Sequence, residues 1–201
     1  MHTWISSLVA LFASAQAHSV IIDAQGEAGS PSSVGFQVDS SIARNCTLIS
    51  PCQQDTTIIR DAEINSNVTG QCGRTELDGN IDVSANTESA ITAGQVTQVK
   101  AATTLTITVH QVNQDGAGPY FCDLYSSDSS TDSEDLTVTN NVPGSNGLSQ
   151  AKASEFNVTV QMPASFNCTG GSTENVCIVR CRNNALAGPF GGCFAVQQIA
   201  G

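Results

Sequence analysis

Thr104-Leu105-Thr106-Ile107-Thr108-Val109-His110 alternates strictly between polar and apolar residues over seven positions. A period of two is the mark of a strand with one face in a core and the other turned outward. Leu105, Ile107 and Val109 therefore point one way, and Thr104, Thr106, Thr108 and His110 the other. Phe156, Val158, Val160 and Met162 repeat the pattern, with Asn157, Thr159 and Gln161 between them. Residues 20–22, 62–64, 137–139, 176–179 and 194–197 are shorter strand candidates set among turn-forming residues. Only weak helical patterns arise, at residues 42–48 and 148–153. Without an internal repeat or a long linker, the expectation is one mainly β domain over residues 18–201. Its architecture is expected to be an antiparallel immunoglobulin- or fibronectin-like β-sandwich with disulfide-stapled loops.

Residues 1–17 stand apart from this pattern. They carry no Lys, Arg, Asp or Glu, and the apolar run from Trp4 to Ala13 is too short to span a bilayer. Ala15 and Ala17 supply the small side chains that signal peptidase accepts. The segment reads as a secretion signal cut after Ala17, which makes His18 the first residue of a secreted, extracellular or cell-wall-associated chain.

Seven basic residues against eighteen acidic ones give a formal net charge of -11. That balance repels phosphate backbones and anionic membrane surfaces, so nucleic acid is excluded as a partner. No later apolar run approaches the roughly 20 residues of a membrane helix, and the expectation is a monomer that does not insert into membranes.

The eight cysteines are an even number in an exported chain and read as four disulfides. Proximity favours Cys46 with Cys52 and one or two bridges within the cluster Cys168, Cys177, Cys181 and Cys193. The rival reading of that cluster as a zinc site lacks paired C-x-x-C spacing and a nearby histidine. Four glycosylation sequons, at Asn45, Asn67, Asn157 and Asn167, agree with the secretory route. Residues 126–135 hold four acids and no base and read as a solvated loop. A calcium loop is the alternative, though the Gly turn and terminal Glu of that motif are missing.

With residues 1–17 removed, two histidines remain, His18 and His110. A terminal histidine carries an amine and a ring nitrogen on one residue, the start of a chelate. His110 lies on the Thr-lined face, expected to be open to solvent, where a ligand is favoured over a core histidine. If the strands bearing them meet, three nitrogens converge in an arrangement suited to Cu(II). Both donor types must be unprotonated, so copper affinity is expected to fall as pH drops below neutral. Gln111, Asn113, Gln114 and Asp115 follow His110 and fit either ligand contacts or a hydrogen-bonded turn. No G-x-S-x-G elbow is present, no histidine is left for a catalytic triad, and no carboxylate pair is singled out.

A terminal histidine paired with a second one resembles the histidine brace of lytic polysaccharide monooxygenases, secreted copper enzymes on β-sandwich scaffolds. In Gly188-Pro189-Phe190-Gly191-Gly192-Cys193, Phe190 stands three residues before a cysteine, as the axial aromatic of those enzymes does. The resemblance implies that His18 and His110 hold copper and that Phe190 caps its axial position. Phe190 as a simple core or turn aromatic stays equally open. Tyr120 and Tyr125 are the only tyrosines and Trp4 the only tryptophan, so an aromatic platform for crystalline polysaccharide is scarcely available.

A second resemblance covers nearly the whole chain. The string from Val109-His110-Gln111-Val112-Asn113 through Gly116-Ala117-Gly118-Pro119-Tyr120, the segment Val142-Pro143-Gly144, and Arg180-Cys181-Arg182-Asn183-Asn184-Ala185 resemble the Egh-like and Mas/Gas-type virulence factors. These are secreted cell-surface proteins of filamentous fungi associated with appressoria. Together the resemblances imply a copper-dependent protein acting on host or fungal cell-wall polysaccharide. The rival expectations are a copper-handling protein and a non-enzymatic wall-binding effector.

Overall fold

The computed structural model describes residues 18–201. The secretion-signal reading falls on residues 1–17 and lies outside the described residues. In chain order the elements are β1 (Ser19–Gln25), β2 (Thr57–Ile58), α1 (Asp61–Asn65), β3 (Arg74–Thr75), β4 (Gly79–Asn80) and α2 (Val83–Ala93). They continue with β5 (Thr97–Val99), β6 (Thr104–Gln111), a 3-10 turn (Gln114–Gly116), β7 (Phe121–Tyr125), β8 (Ser133–Asn140), β9 (Ser154–Gln161), β10 (Val176–Arg182) and β11 (Phe190–Gln198).

The strands form one hydrogen-bonded network in the order β1-β6-β9-β8-β7-β10-β11-β2-β3-β4, with β5 also on β11. Every pairing is antiparallel except β5 with β11. The network has two halves joined by β8, whose residues 133–136 pair with β7 and whose later residues pair with β9. Both halves feed one core. Ile21, Leu105, Ile107, Val109, Val158 and Val160 come from β1, β6 and β9, and Leu124, Val179, Phe194 and Val196 from β7, β10 and β11. The mainly β, antiparallel reading of the sequence thus stands; these pairings do not establish an immunoglobulin or fibronectin strand order.

The alternation at residues 104–110 sets the first half, with Leu105, Ile107 and Val109 fully buried. β10 and β11 instead read as near-continuous buried runs because they are covered on both faces. Their second face meets another core, in which Ile178, Cys193 and Ala195 pack with Phe36 and Ile81, and Val83, Ala90 and Ile91 of α2 cover them. The side chain of Asp82 caps α2 by accepting from the Ala85 amide at 3.0 Å, and Gly94 ends it in a left-handed conformation.

Three local expectations are corrected. Residues 62–64 lie in α1 and not in a strand, and Asp61 and Glu63 in the first turn favour that helix end electrostatically. Residues 42–48 and 148–153 are not helical. Residues 133–135 belong to β8 and not to a loop. There Asp135 sits opposite Asp123, and Arg180 offsets the two like charges by donating to Asp123 from Nε and Nη2 at 2.9 and 2.5 Å.

All eight cysteines are paired, as Cys46–Cys52, Cys72–Cys193, Cys122–Cys181 and Cys168–Cys177. No thiol remains for zinc. The sequon asparagines Asn45, Asn67, Asn157 and Asn167 are all exposed. Among the described residues, no helix is long and apolar enough to cross a membrane.

Cys122 and Cys181 stand directly opposite each other on β7 and β10 and close 59 residues of chain, whereas Cys46–Cys52 closes 6. Loop-closure entropy makes the first worth about 4 kcal/mol and the second about 2 kcal/mol. Urea unfolding of Cys122→Ala/Cys181→Ala and of Cys46→Ala/Cys52→Ala should show that order; equal losses would contradict it.

Candidate metal centre at the His18 end of the sheet

The register of β1 on β6 decides where the histidines lie. Ser19 pairs with Gln111 and Val20 with His110. His18 extends the ladder by one position, its carbonyl accepting from the Val112 amide at 3.0 Å. His18 and His110 therefore sit on neighbouring strands at one end of the sheet, offset by two positions. Strand geometry makes that offset about 7 Å along the strand and about 5 Å across it, within the span of two converging imidazoles.

Phe190 opens β11 and packs with Ile58 and Ala185. Its ring centroid lies 5.1 Å from that of His18, with the planes tilted by 41°. Phe190 is thus a core aromatic and a neighbour of the His18 ring at once.

The expectation that His110 faces solvent is corrected. It projects away from the Leu105, Ile107, Val109 core face but is only 1% exposed, and His18 only 4%. Arg44 and Asp55 lie near enough for their charges to act on His110. Arg44 donates to both oxygens of the fully buried Asp55 carboxylate, at 3.0 and 2.5 Å. Burial first, and then the Arg44 guanidinium, hold the His110 imidazole below its ordinary pKa, partly opposed by Glu155 and Asp55. His110 is therefore neutral at neutral pH, the form that binds metals. Among the described residues, neither of its ring nitrogens has a hydrogen-bond partner, an arrangement rare in protein interiors.

The residues after His110 form a turn, the second of the two readings the sequence allows. The Gln111 side-chain amide donates to the Asn113 and Ala151 carbonyls and to Ser149 Oγ, each at 2.9 Å. Asn113 Oδ1 accepts from the His18 backbone nitrogen at 2.8 Å. Tyr120 donates to Ser19 Oγ and lies 2.9 Å from the Gly116 carbonyl, and burial raises its pKa well above the ordinary phenol value.

Asn183 ties this turn to Phe190. Its amide nitrogen donates to the Asp115 and Ala117 carbonyls at 2.9 Å each, and its Oδ1 accepts from the Phe190 amide at 2.9 Å. Asn183 stood in the sequence only as part of a family motif, and its bonds to Asp115 and Ala117 cross a long stretch of chain; Arg44 and Asp55 were not singled out, being far in sequence from His110.

Among the described residues, no cluster of three or more His, Cys, Asp and Glu side chains is arranged to hold a metal. A metal at this end would need a donor beyond side chains. The chemistry of the set fits copper on one condition: a terminal amine at His18 joins two imidazoles, of which His110 is buried, neutral and without a hydrogen-bond partner.

Two measurements check this description on metal-free protein. Asn183→Ala removes bonds to two buried segments at once and should cost about 3 kcal/mol in urea unfolding; a loss below about 1 kcal/mol would refute the brace. A depressed folded pKa means that the unfolded chain binds more protons below about pH 6.5. Stability from neutral His110 is therefore full above that pH and lost as pH falls toward the folded value. Between pH 7.5 and 5.5 the protein should lose more stability than His110→Gln, and parallel profiles would contradict the burial effect.

Residues 16–191 match the family model described as Egh16-like virulence factor. The chain is 38% identical over 185 residues to the appressoria-specific virulence factor GAS1 of Pyricularia oryzae, covering 90% of this chain and 71% of that protein. It is 32% identical over 259 residues to the appressoria-specific virulence factor GAS2 of the same organism, covering 95% of this chain and 87% of that protein. No solved structure matches. With family similarity over most of its length, the chain belongs to the Egh16-like virulence factor family.

Proposed function

We propose that this chain is a secreted or cell-wall-associated fungal virulence protein that binds copper through the amine and ring of His18 and the ring of His110. Cleavage after Ala17 creates the amine. Phe190 lies against the His18 ring and would line the site beside it. The observation that carries the reading is His110, a buried neutral imidazole with two unbonded nitrogens at the same strand end as His18. Copper held there supplies one-electron redox chemistry toward oxygen or peroxide, and oxidative attack on cell-wall polysaccharide is the activity proposed for it. The names of the Pyricularia oryzae relatives support a setting in virulence at appressoria.

The chain's own residues define what that activity requires. Burial of both rings excludes water and orients them, and it also means that little of either ring is open to an approaching polymer. This burial favours a second reading, a copper-holding or wall-binding protein without catalysis.

Electron paramagnetic resonance with one equivalent of Cu(II) tests the copper site. Protein beginning at His18 should give three-nitrogen coordination, and protein retaining Ala17 should fold with the same metal-free melting temperature but lose that spectrum and about a hundredfold in affinity. Identical behaviour of the two forms would overturn the reading. Product analysis on chitin, pectin and glucan with a reductant separates the oxidative activity from the second reading.

A further inference from the structure

We infer that Asn113 is a positioning residue for the amino nitrogen of His18, an inference that rests on the copper reading above. His18 is gripped by its backbone. Its nitrogen donates to Asn113 Oδ1 at 2.8 Å, and its carbonyl accepts from the Val112 amide at 3.0 Å. Gly116 closes the far side so tightly that a Cβ there would stand 2.4 Å from the His18 carbonyl oxygen. Only glycine lets the turn approach this near.

Asn113 is itself fixed. Its backbone is extended ahead of the Gln114–Gly116 turn, and its carbonyl accepts from the Gln111 side chain at 2.9 Å and the Gly116 amide at 3.1 Å. Asn183 anchors the same turn through the Asp115 and Ala117 carbonyls. The acceptor that meets the His18 nitrogen therefore belongs to a rigid, cross-braced loop and not to a free surface side chain.

In the uncut chain that nitrogen is a planar amide. Its lone pair is delocalised into the preceding carbonyl and is not available to a metal. Cutting the Ala17–His18 bond leaves an amine that retains a hydrogen for Asn113 and gains a lone pair. With one N–H held by Asn113 and the residue held in place through its carbonyl by Val112, the lone pair is confined to the two remaining tetrahedral positions before any ion arrives. Outer-shell groups that orient ligands in this way carry about 10- to 100-fold of metal affinity.

The test uses chain beginning at His18, Cu(II) as the probe, and three readouts: the resonance spectrum, the dissociation constant, and the metal-free melting temperature. Asn113→Ala should weaken Cu(II) binding about tenfold and alter the nitrogen coupling, while Asn113→Asp, which keeps an acceptor oxygen in place, restores the spectrum. A merely structural role would lower the melting temperature and leave the spectrum unchanged. Asn113→Ser, which withdraws the acceptor but keeps a polar turn residue, repeats the test if the alanine variant fails to fold. If the parent shows amine coordination and the variants match it, the role of Asn113 alone is overturned. If the parent lacks amine coordination, the copper reading fails first and this inference falls with it.

Discussion

Everything at the histidine end depends on the register of β1 against β6. Val20 opposite His110 is one of two parities open to the pair, and a slip of one residue would exchange the faces of every side chain on β6. Such a slip would turn Leu105, Ile107 and Val109 out of the core and His110 into it. Each of those three apolar side chains is worth roughly 1.5–3 kcal/mol when buried, so the alternative register is disfavoured by several kcal/mol. The core thus determines where the histidines stand, although it touches neither of their functions.

The strands were legible where burial was one-sided. Alternation at residues 104–110 and 156–162 named the correct inward residues, and Cys46–Cys52 followed from proximity. What stayed hidden was structure made by distant partners. α2 buries Thr87 and partly buries Val83, Ala90 and Ile91 at helical spacing, but these residues are small or β-branched and the pattern is faint. Its caps, Asp82 and Gly94, were the signal that could have revealed it. β8 carries Glu134 and Asp135, poor strand formers that are held by backbone pairing to β7.

The sequence singled out the three candidate residues but not their surroundings. His18, His110 and Phe190 come together at one end, yet the outward face predicted for His110 is covered. A period of two tells which residues share a face and says nothing about whether another segment lies over it. The pair Arg44 and Asp55, far from His110 in sequence, adds its charges to that environment. Covering changes the chemistry in two opposed ways. It keeps the imidazole neutral and dry, which suits metal binding, and it restricts the approach of anything large.

Side-chain amides do much of the joining. Gln111, Asn113 and Asn183 each reach main-chain groups on other loops, so three connecting segments behave as one body. Uncharged amides accomplish this without the desolvation cost of buried ions.

The sharing of β8 between the two halves has a further consequence. Residues 126–132, just ahead of it, are the natural place for a protease to enter. A nick there would leave Cys72–Cys193 and Cys122–Cys181 spanning the break, with β8 still laddered on both sides. A clipped chain would stay a single covalent particle, so digestion would mark this protein on a reducing gel long before it dismantled it.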